Sequence, residues 1–259
     1  MTLLHLASVT RTVLPPDQPA LTILNGVDLD VEEDDRISVV GRSGSGKSTL
    51  LNLLGLLDTP TSGVLEFAGR PVKDYSSGER DRVRGREIGF VFQQFNLLPG
   101  RTALENVIMP LLYAEGRQFW RRRAIAAEML EEVGLGHRLE SLPDRLSGGE
   151  QQRVAIARSL VRGPRLILAD EPTGALDLDT GQSVMELIDE VAARTNAALV
   201  VITHDPAIAE RSRDHYRLDH GVLTRVGAGV GADAGAGVGA GAAAEAVAGA
   251  GAGTGAGAA

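Results

Sequence analysis

The stretch Gly41-Arg42-Ser43-Gly44-Ser45-Gly46-Lys47-Ser48-Thr49 constrains this chain more than any other. It follows the short apolar run Ile37 to Val40 and precedes a second one, Leu50 to Leu57. Its spacing is that of a phosphate-binding loop, with Gly41, Gly46, Lys47 and Ser48 at the diagnostic positions. Glycines without Cβ let successive backbone N–H groups turn inward around phosphate oxygens, and the following helix offers the positive end of its dipole. In that geometry Lys47 reaches the β- and γ-phosphates and Ser48 ligates Mg²⁺. A strand before the loop and a helix after it are the context such a loop needs, and they argue against a plain Gly/Ser turn.

The same unit recurs along the chain. Ile88 to Phe92, Leu166 to Ala169 and Leu199 to Thr203 are short apolar runs, each followed by a polar loop and a helical pattern. This repetition predicts an α/β fold whose mostly parallel sheet is covered on both faces. Ligands in such sheets sit at the carboxyl ends of the strands, where Gly41, Gln93, Asp170 and His204 all fall. Before the loop, residues 1 to 40 read as short strands, with apolar alternation on either side of Asn25-Gly26. Lys73 to Arg86 reads as a solvated helix with its approach loop, and Thr102 to Val133 as helical, broken near Pro110. Arg121 to Arg123 form a basic run, but Glu128, Glu131 and Glu132 lie close behind, so charge pairs four apart on a solvated helix face are expected.

Two acidic residues stand out at a strand end. Asp170 closes the run Leu166 to Ala169, where a carboxylate can hold Mg²⁺ through water. Glu171 follows directly and can orient, or act as general base on, an attacking water. Taken alone it could as well cap a helix or sit in an ion pair. His204 closes the next apolar run, where a donor to a γ-phosphate is natural, although a lone histidine there would read as a surface residue. The remaining histidines, His5, His137, His215 and His220, have no such setting. Ser147-Gly148-Gly149 opens a further long helix and makes a second N-terminus fit for an anion.

Composition bounds what surrounds these groups. With 43% hydrophobic residues among 259, the chain can bury the core of one large domain or of a domain with an inserted subdomain. It has no cysteine, which excludes disulfides and thiolate metal sites. No window approaches the roughly 20 consecutive apolar residues of a membrane span, and the N-terminus lacks the pattern of a signal peptide, so a soluble chain is expected. The formal charge of −8 argues against nonspecific binding to nucleic acid. From Gly227 onward the composition collapses to glycine, alanine and valine, so residues 227–259 are expected to be a disordered tail.

With these motifs in order, the chain resembles the ATPase subunit of ATP-binding cassette transporters over about residues 4–226. Leu146 to Gln151, LSGGEQ, resembles the family signature; Leu166 to Glu171 resembles the Walker B strand with its glutamate; Gly174 to Asp177 resembles the D-loop. Gln93 corresponds to the Q-loop glutamine and His204 to the switch histidine. The resemblance implies a phosphate-loop NTPase core in a nucleotide-binding domain of residues 1–226. An N-terminal antiparallel β subdomain and an inserted helical subdomain at about 94–162 belong to that domain. It implies ATP and Mg²⁺ as ligands, with Ser48, Gln93 and Asp170 at the metal and Glu171, His204 and Gln93 at the reaction. It further implies a head-to-tail homodimer in which ATP is sandwiched between the phosphate loop of one subunit and Ser147-Gly148-Gly149 of the other. The other implied partner is an integral membrane permease, which places the chain on the cytoplasmic face of the cell membrane.

Details of the motifs resemble the subgroup of macrolide exporters, lipoprotein-release systems and a cell-division ATPase. That range leaves two roles open, a transporter subunit or a regulatory, force-transmitting ATPase that moves no substrate. Permease contact is expected after Gln93, where exposed Phe95, Leu97 and Leu98 would line an apolar groove. One position departs from the pattern: an aromatic residue usually stacks on adenine near position 13, and this chain has Val13. Valine offers apolar contact without a π-face, so nucleotide binding is expected to be weaker or less selective for the base.

Overall fold

Apolar runs without alternation need cover on both faces of a sheet, and here a second sheet with α1 covers one face while α6 and α7 cover the other. The computed structural model describes residues 1–16 and 19–228. In chain order, β1 (Thr2–Val13), β2 (Leu21–Glu32) and β3 (Arg36–Val40) lead to α1 (Lys47–Leu54), followed by β4 (Ser62–Phe67) and β5 (Arg70–Pro71). Next come α2 (Ser77–Glu87), β6 (Ile88–Phe92), α3 (Ala103–Ile108), α4 (Gly116–Trp120), α5 (Arg122–Glu132) and α6 (Gly148–Leu160). The last third holds β7 (Leu166–Asp170), α7 (Leu178–Thr195), β8 (Ala198–Thr203), α8 (Pro206–Ala209), β9 (Asp214–Asp219) and β10 (Val222–Ala228).

The strands form two sheets. One has the order β2-β1-β4-β5 and is antiparallel; the other runs β10-β9-β3-β8-β7-β6, parallel from β9 to β6 with β10 antiparallel at its edge. Side chains of β7 and β8 divide between two cores with the period of two that a strand imposes. Leu166, Leu168, Val200 and Ile202 face the antiparallel sheet and α1, while Ile167, Ala169, Leu199 and Val201 face α6 and α7. Each such leucine or valine, fully removed from water, contributes on the order of 1.5–3 kcal/mol. A third core lies among α3, α5 and α6, where Leu104, Val107, Leu130, Val154 and Ala157 are buried together.

β1, β2 and β3 lie where the sequence reading put its first three strands, β1 and β2 running 12 residues each. Asn25-Gly26 lies inside β2, where Gly26 takes φ 67 and the pairing with β1 shifts register. The structure departs from the sequence reading at two places. Charge pairing around the arginine run differs. Arg121 precedes α5 and reaches Glu128 at 3.4 Å, Arg123 meets Glu140 at 3.0 Å, and Glu132 pairs with Arg194 at 2.5 Å. The first contact runs along α5 from its N-cap to two turns onward, while the other two tie the helix to its surroundings instead of to its own next turn. Finally, β10 extends through Gly227 and Ala228, past the boundary expected at 227, and the remainder of the expected tail lies outside the described residues.

Candidate functional site

Parallel register brings the predicted groups to one edge. Val40 pairs with Thr203, Ile202 with Asp170, and Asp170 with Phe92 across β3, β8, β7 and β6. The residues that follow these strands are therefore Gly41, His204, Glu171 and Gln93, side by side at the carboxyl edge, as sequence reasoning placed them. The phosphate loop turns from β3 into α1 there. Gly44 and Gly46 have φ 78 and φ 108, conformations that glycine adopts without cost. At Gly41 a Cβ would overlap the carbonyl oxygen of Leu218 and crowd Ser45 Oγ. Lys47 donates from Nζ to the carbonyl oxygens of Gly41 at 2.7 Å and Arg42 at 2.9 Å, so its ammonium spans the start of the loop.

Asp170 and Glu171 differ in setting. Burial pushes the Asp170 carboxyl above the ordinary range, the adjacent Glu171 charge adds to this, and the Lys47 ammonium opposes it. Glu171 has φ 46, a left-handed conformation unusual for a side chain of this length. Several bonds hold it there. Its N–H donates to Ile202 at 2.8 Å, Thr203 Oγ1 donates to Oε2 at 3.1 Å, and His204 Nδ1 lies 2.7 Å from Oε1. An ionised carboxylate only accepts, so Nδ1 carries the hydrogen in that pair and Nε2 remains for another partner.

Thr203 was not singled out by sequence reasoning. Its hydroxyl also accepts from the N–H of Asp205 at 3.0 Å, which fixes the turn carrying His204. A single hydroxyl residue ending the otherwise apolar run ALVVIT was the only signal. Gly221 was missed as well: its N–H donates to the Ser45 carbonyl at 3.2 Å, so the β9–β10 turn supports the phosphate loop from outside.

The signature segment sits apart from the phosphate loop, packed in the helical core through Leu146 while α1 packs between the two sheets. Ser147 caps α6 in a reciprocal capping box with Glu150, leaving Ser147-Gly148-Gly149 at the open N-terminus. The Ser147 N–H holds the Glu150 carboxylate below its ordinary range against the opposing effect of burial, and Arg138 lowers it further. Gly149 approaches Thr180 of α7 so closely that a Cβ would lie 2.5 Å from its methyl group. The expected apolar groove after Gln93 is not formed as anticipated. Phe95 and Leu97 are half-buried, Leu97 against the helical core, and only Leu98 is exposed. Val13 ends β1 opposite Leu21, beside an exposed Leu14, so this rim is aliphatic.

The family described as "ABC transporter" matches residues 24–174, from β2 through the phosphate loop and signature to Gly174. The chain belongs to this family. The lipoprotein-releasing system ATP-binding protein LolD of Shewanella oneidensis is 48% identical over 201 residues, 78% of this chain and 87% of that protein. The macrolide export ATP-binding/permease protein MacB of Syntrophobacter fumaroxidans is 47% identical over 204 residues, 78% of this chain but only 28% of that longer protein. Among solved structures, a dimeric post-hydrolysis state of the ATP-binding cassette MJ0796 bound to ADP and Pi is 40% identical. It superposes with a TM-score of 0.78 over 86% of this chain and 97% of that one. The chain is thus an ABC-type ATPase cassette of the group that contains these relatives.

The donor set suits Mg²⁺. Ser48, Asp170 and the amide oxygen of Gln93 are hard oxygen donors. Among the described residues no cluster of three His, Cys, Asp or Glu side chains is poised for a metal, so a cation here would rely on mixed donors completed by phosphate oxygens.

Proposed function

We propose that the cassette is the ATP-hydrolysing subunit of a membrane transport complex, working as a pair of copies beneath a permease at the cytoplasmic face of the membrane. The observation that carries this reading is the clamped Glu171. A carboxylate fixed by Thr203 and His204, next to Asp170 and at the same sheet edge as the phosphate loop, is set to handle a water attacking a γ-phosphate.

In this reading the N–H groups of Gly41 to Thr49 and the Lys47 ammonium bind the phosphates. Ser48, Asp170 and Gln93 would hold Mg²⁺, which when bound would neutralise charge on the phosphate oxygens. Glu171 orients the water and accepts its proton, and His204 contacts the γ-phosphate through Nε2. Ser147-Gly148-Gly149 of a second copy closes the site from the other side, which fits the names of the relatives and the dimeric neighbour. Among the described residues no helix is long and apolar enough to cross a membrane, so docking is peripheral in this scheme.

Glu171→Gln tests the reading. Steady-state hydrolysis should fall at least about 100-fold, and sedimentation should show dimers that appear only with ATP. A monomeric variant with unchanged turnover would refute it. The adenine contact is likewise open to test: Val13→Tyr should tighten ATP binding by about 1 kcal/mol, measured by calorimetry, and unchanged affinity would remove base stacking from the account.

A further inference from the structure

Among the described residues Arg158 has no counter-charge. It lies in the third turn of α6, its basicity is lowered by burial, and no charged neighbour offsets that loss. Its guanidinium donates to two backbone carbonyls instead, Asn96 O at 2.6 Å through Nη1 and Phe95 O at 2.9 Å through Nη2. Taking an unpaired guanidinium out of water is unfavourable, so these bonds fix it in place for a local reason. Asn96 itself takes φ 49, a left-handed conformation held where the fork grips it.

The gripped segment begins two residues after Gln93. Its far end is held by the buried Asn106, which accepts from the Leu98 N–H at 2.7 Å and donates to the carbonyls of Arg101 at 3.1 Å and Thr102 at 3.0 Å. The Gln93 side chain rests against Gly174, where a Cβ would come within 2.9 Å of Nε2. On the other flank of that loop, the buried Gln152 of α6 donates to Pro172 O at 2.7 Å, directly after Glu171. One helix therefore holds the backbone just after Gln93 and just after Glu171, and the same helix presents Ser147-Gly148-Gly149 at its N-terminus.

We propose that Arg158 is a positioning residue that ties the segment after Gln93 to α6 and so holds Gln93 in its place at the sheet edge. The proposal rests on the role given to Gln93 above. A rigid planar fork fixes two carbonyls relative to each other in a way that a flexible ammonium does not. Loss of the fork should leave phosphate binding in place while Gln93 loses its register.

The test compares Arg158→Lys, Arg158→Met, Gln93→Ala and the Gln93→Ala/Arg158→Met double variant, with far-UV spectra and melting to establish folding. In the nucleotide-free protein, hydrogen exchange at residues 93–98 should accelerate in Arg158→Met while the amides of α6 stay protected. Turnover should fall about tenfold with the KM for ATP within about twofold, Arg158→Lys should fall between, and the double variant should be no slower than Gln93→Ala alone. ATP-driven dimers should still form when Arg158→Lys is combined with Glu171→Gln. If Gln93→Ala slows turnover but the double variant shows the product of the two single losses, the coupling is refuted while the reading of Gln93 stands. If Gln93→Ala has no effect, both fail. Should Arg158→Met not fold, the same cycle run with Arg158→Lys decides, and unchanged exchange at 93–98 in that variant overturns the proposal.

Discussion

A carboxylate that is buried beside another carboxylate destabilises the protein that contains it, unless something else uses the charge. Asp170 is such a group, its proton affinity raised first by burial and then by Glu171. It binds its proton more tightly in the fold than in the unfolded chain. Its contribution to stability is therefore favourable at low pH and is lost as pH rises through the raised folded-state value, becoming a penalty near neutrality. Asp170→Asn should accordingly raise the melting temperature of the nucleotide-free cassette at pH 7, with the gain shrinking toward pH 3, while ATPase activity disappears. A lower melting temperature at pH 7 would show that the carboxylate has a stabilising partner. Asp170 was legible in the sequence because a charge at the end of a continuous apolar run has few other uses. Thr203 and Gln152 were not legible, because what they grip, Glu171 and Pro172, comes within reach only when β7, β8 and α6 pack together.

At the scale of elements, the phosphate loop depends on strands far from it in sequence. The β9–β10 turn meets β2 and the loop at once: Gly221 N–H donates to Ser45, Asn25 N–H donates to the Gly221 carbonyl at 2.8 Å, and a Cβ on Gly221 would overlap the Ile23 carbonyl. Its φ of 78 compounds the problem for any other residue. Gly221→Ala should cost about 1–3 kcal/mol in chemical denaturation and weaken ATP binding, since Ser45 loses its support. Full stability in that variant would mean that the hairpin is not braced on the loop. The parallel strands β3, β6, β7 and β8 were readable because each is a largely apolar run between polar loops, whereas β9, DHYRLD, carries no such signal. Asn25-Gly26 reads as part of a strand in the sequence, but the register shift it makes there shows only in the pairing with β1. The arginine run at 121–123 likewise shows its partners only once Glu128 and Glu140 are folded near it.

For the whole molecule, the chain carries a phosphate loop at the edge of its parallel sheet, leading into α1 between the two sheets, and a capped, glycine-opened helix N-terminus beside its helical core. One copy cannot bring its own two halves together around a nucleotide without unpacking one of these cores, so closure calls for a second copy. In the proposed scheme each active site is shared between two copies. Mixing two inactive variants, Lys47→Ala and Ser147→Arg, tests it most directly. A mixed dimer holds one site with an intact loop from one copy and an intact signature from the other, beside a second site carrying both defects. Random pairing then predicts that each variant alone is dead and that the mixture recovers about a quarter of wild-type ATPase activity per chain. A mixture as inactive as its components, although mixed dimers form, would contradict the shared site.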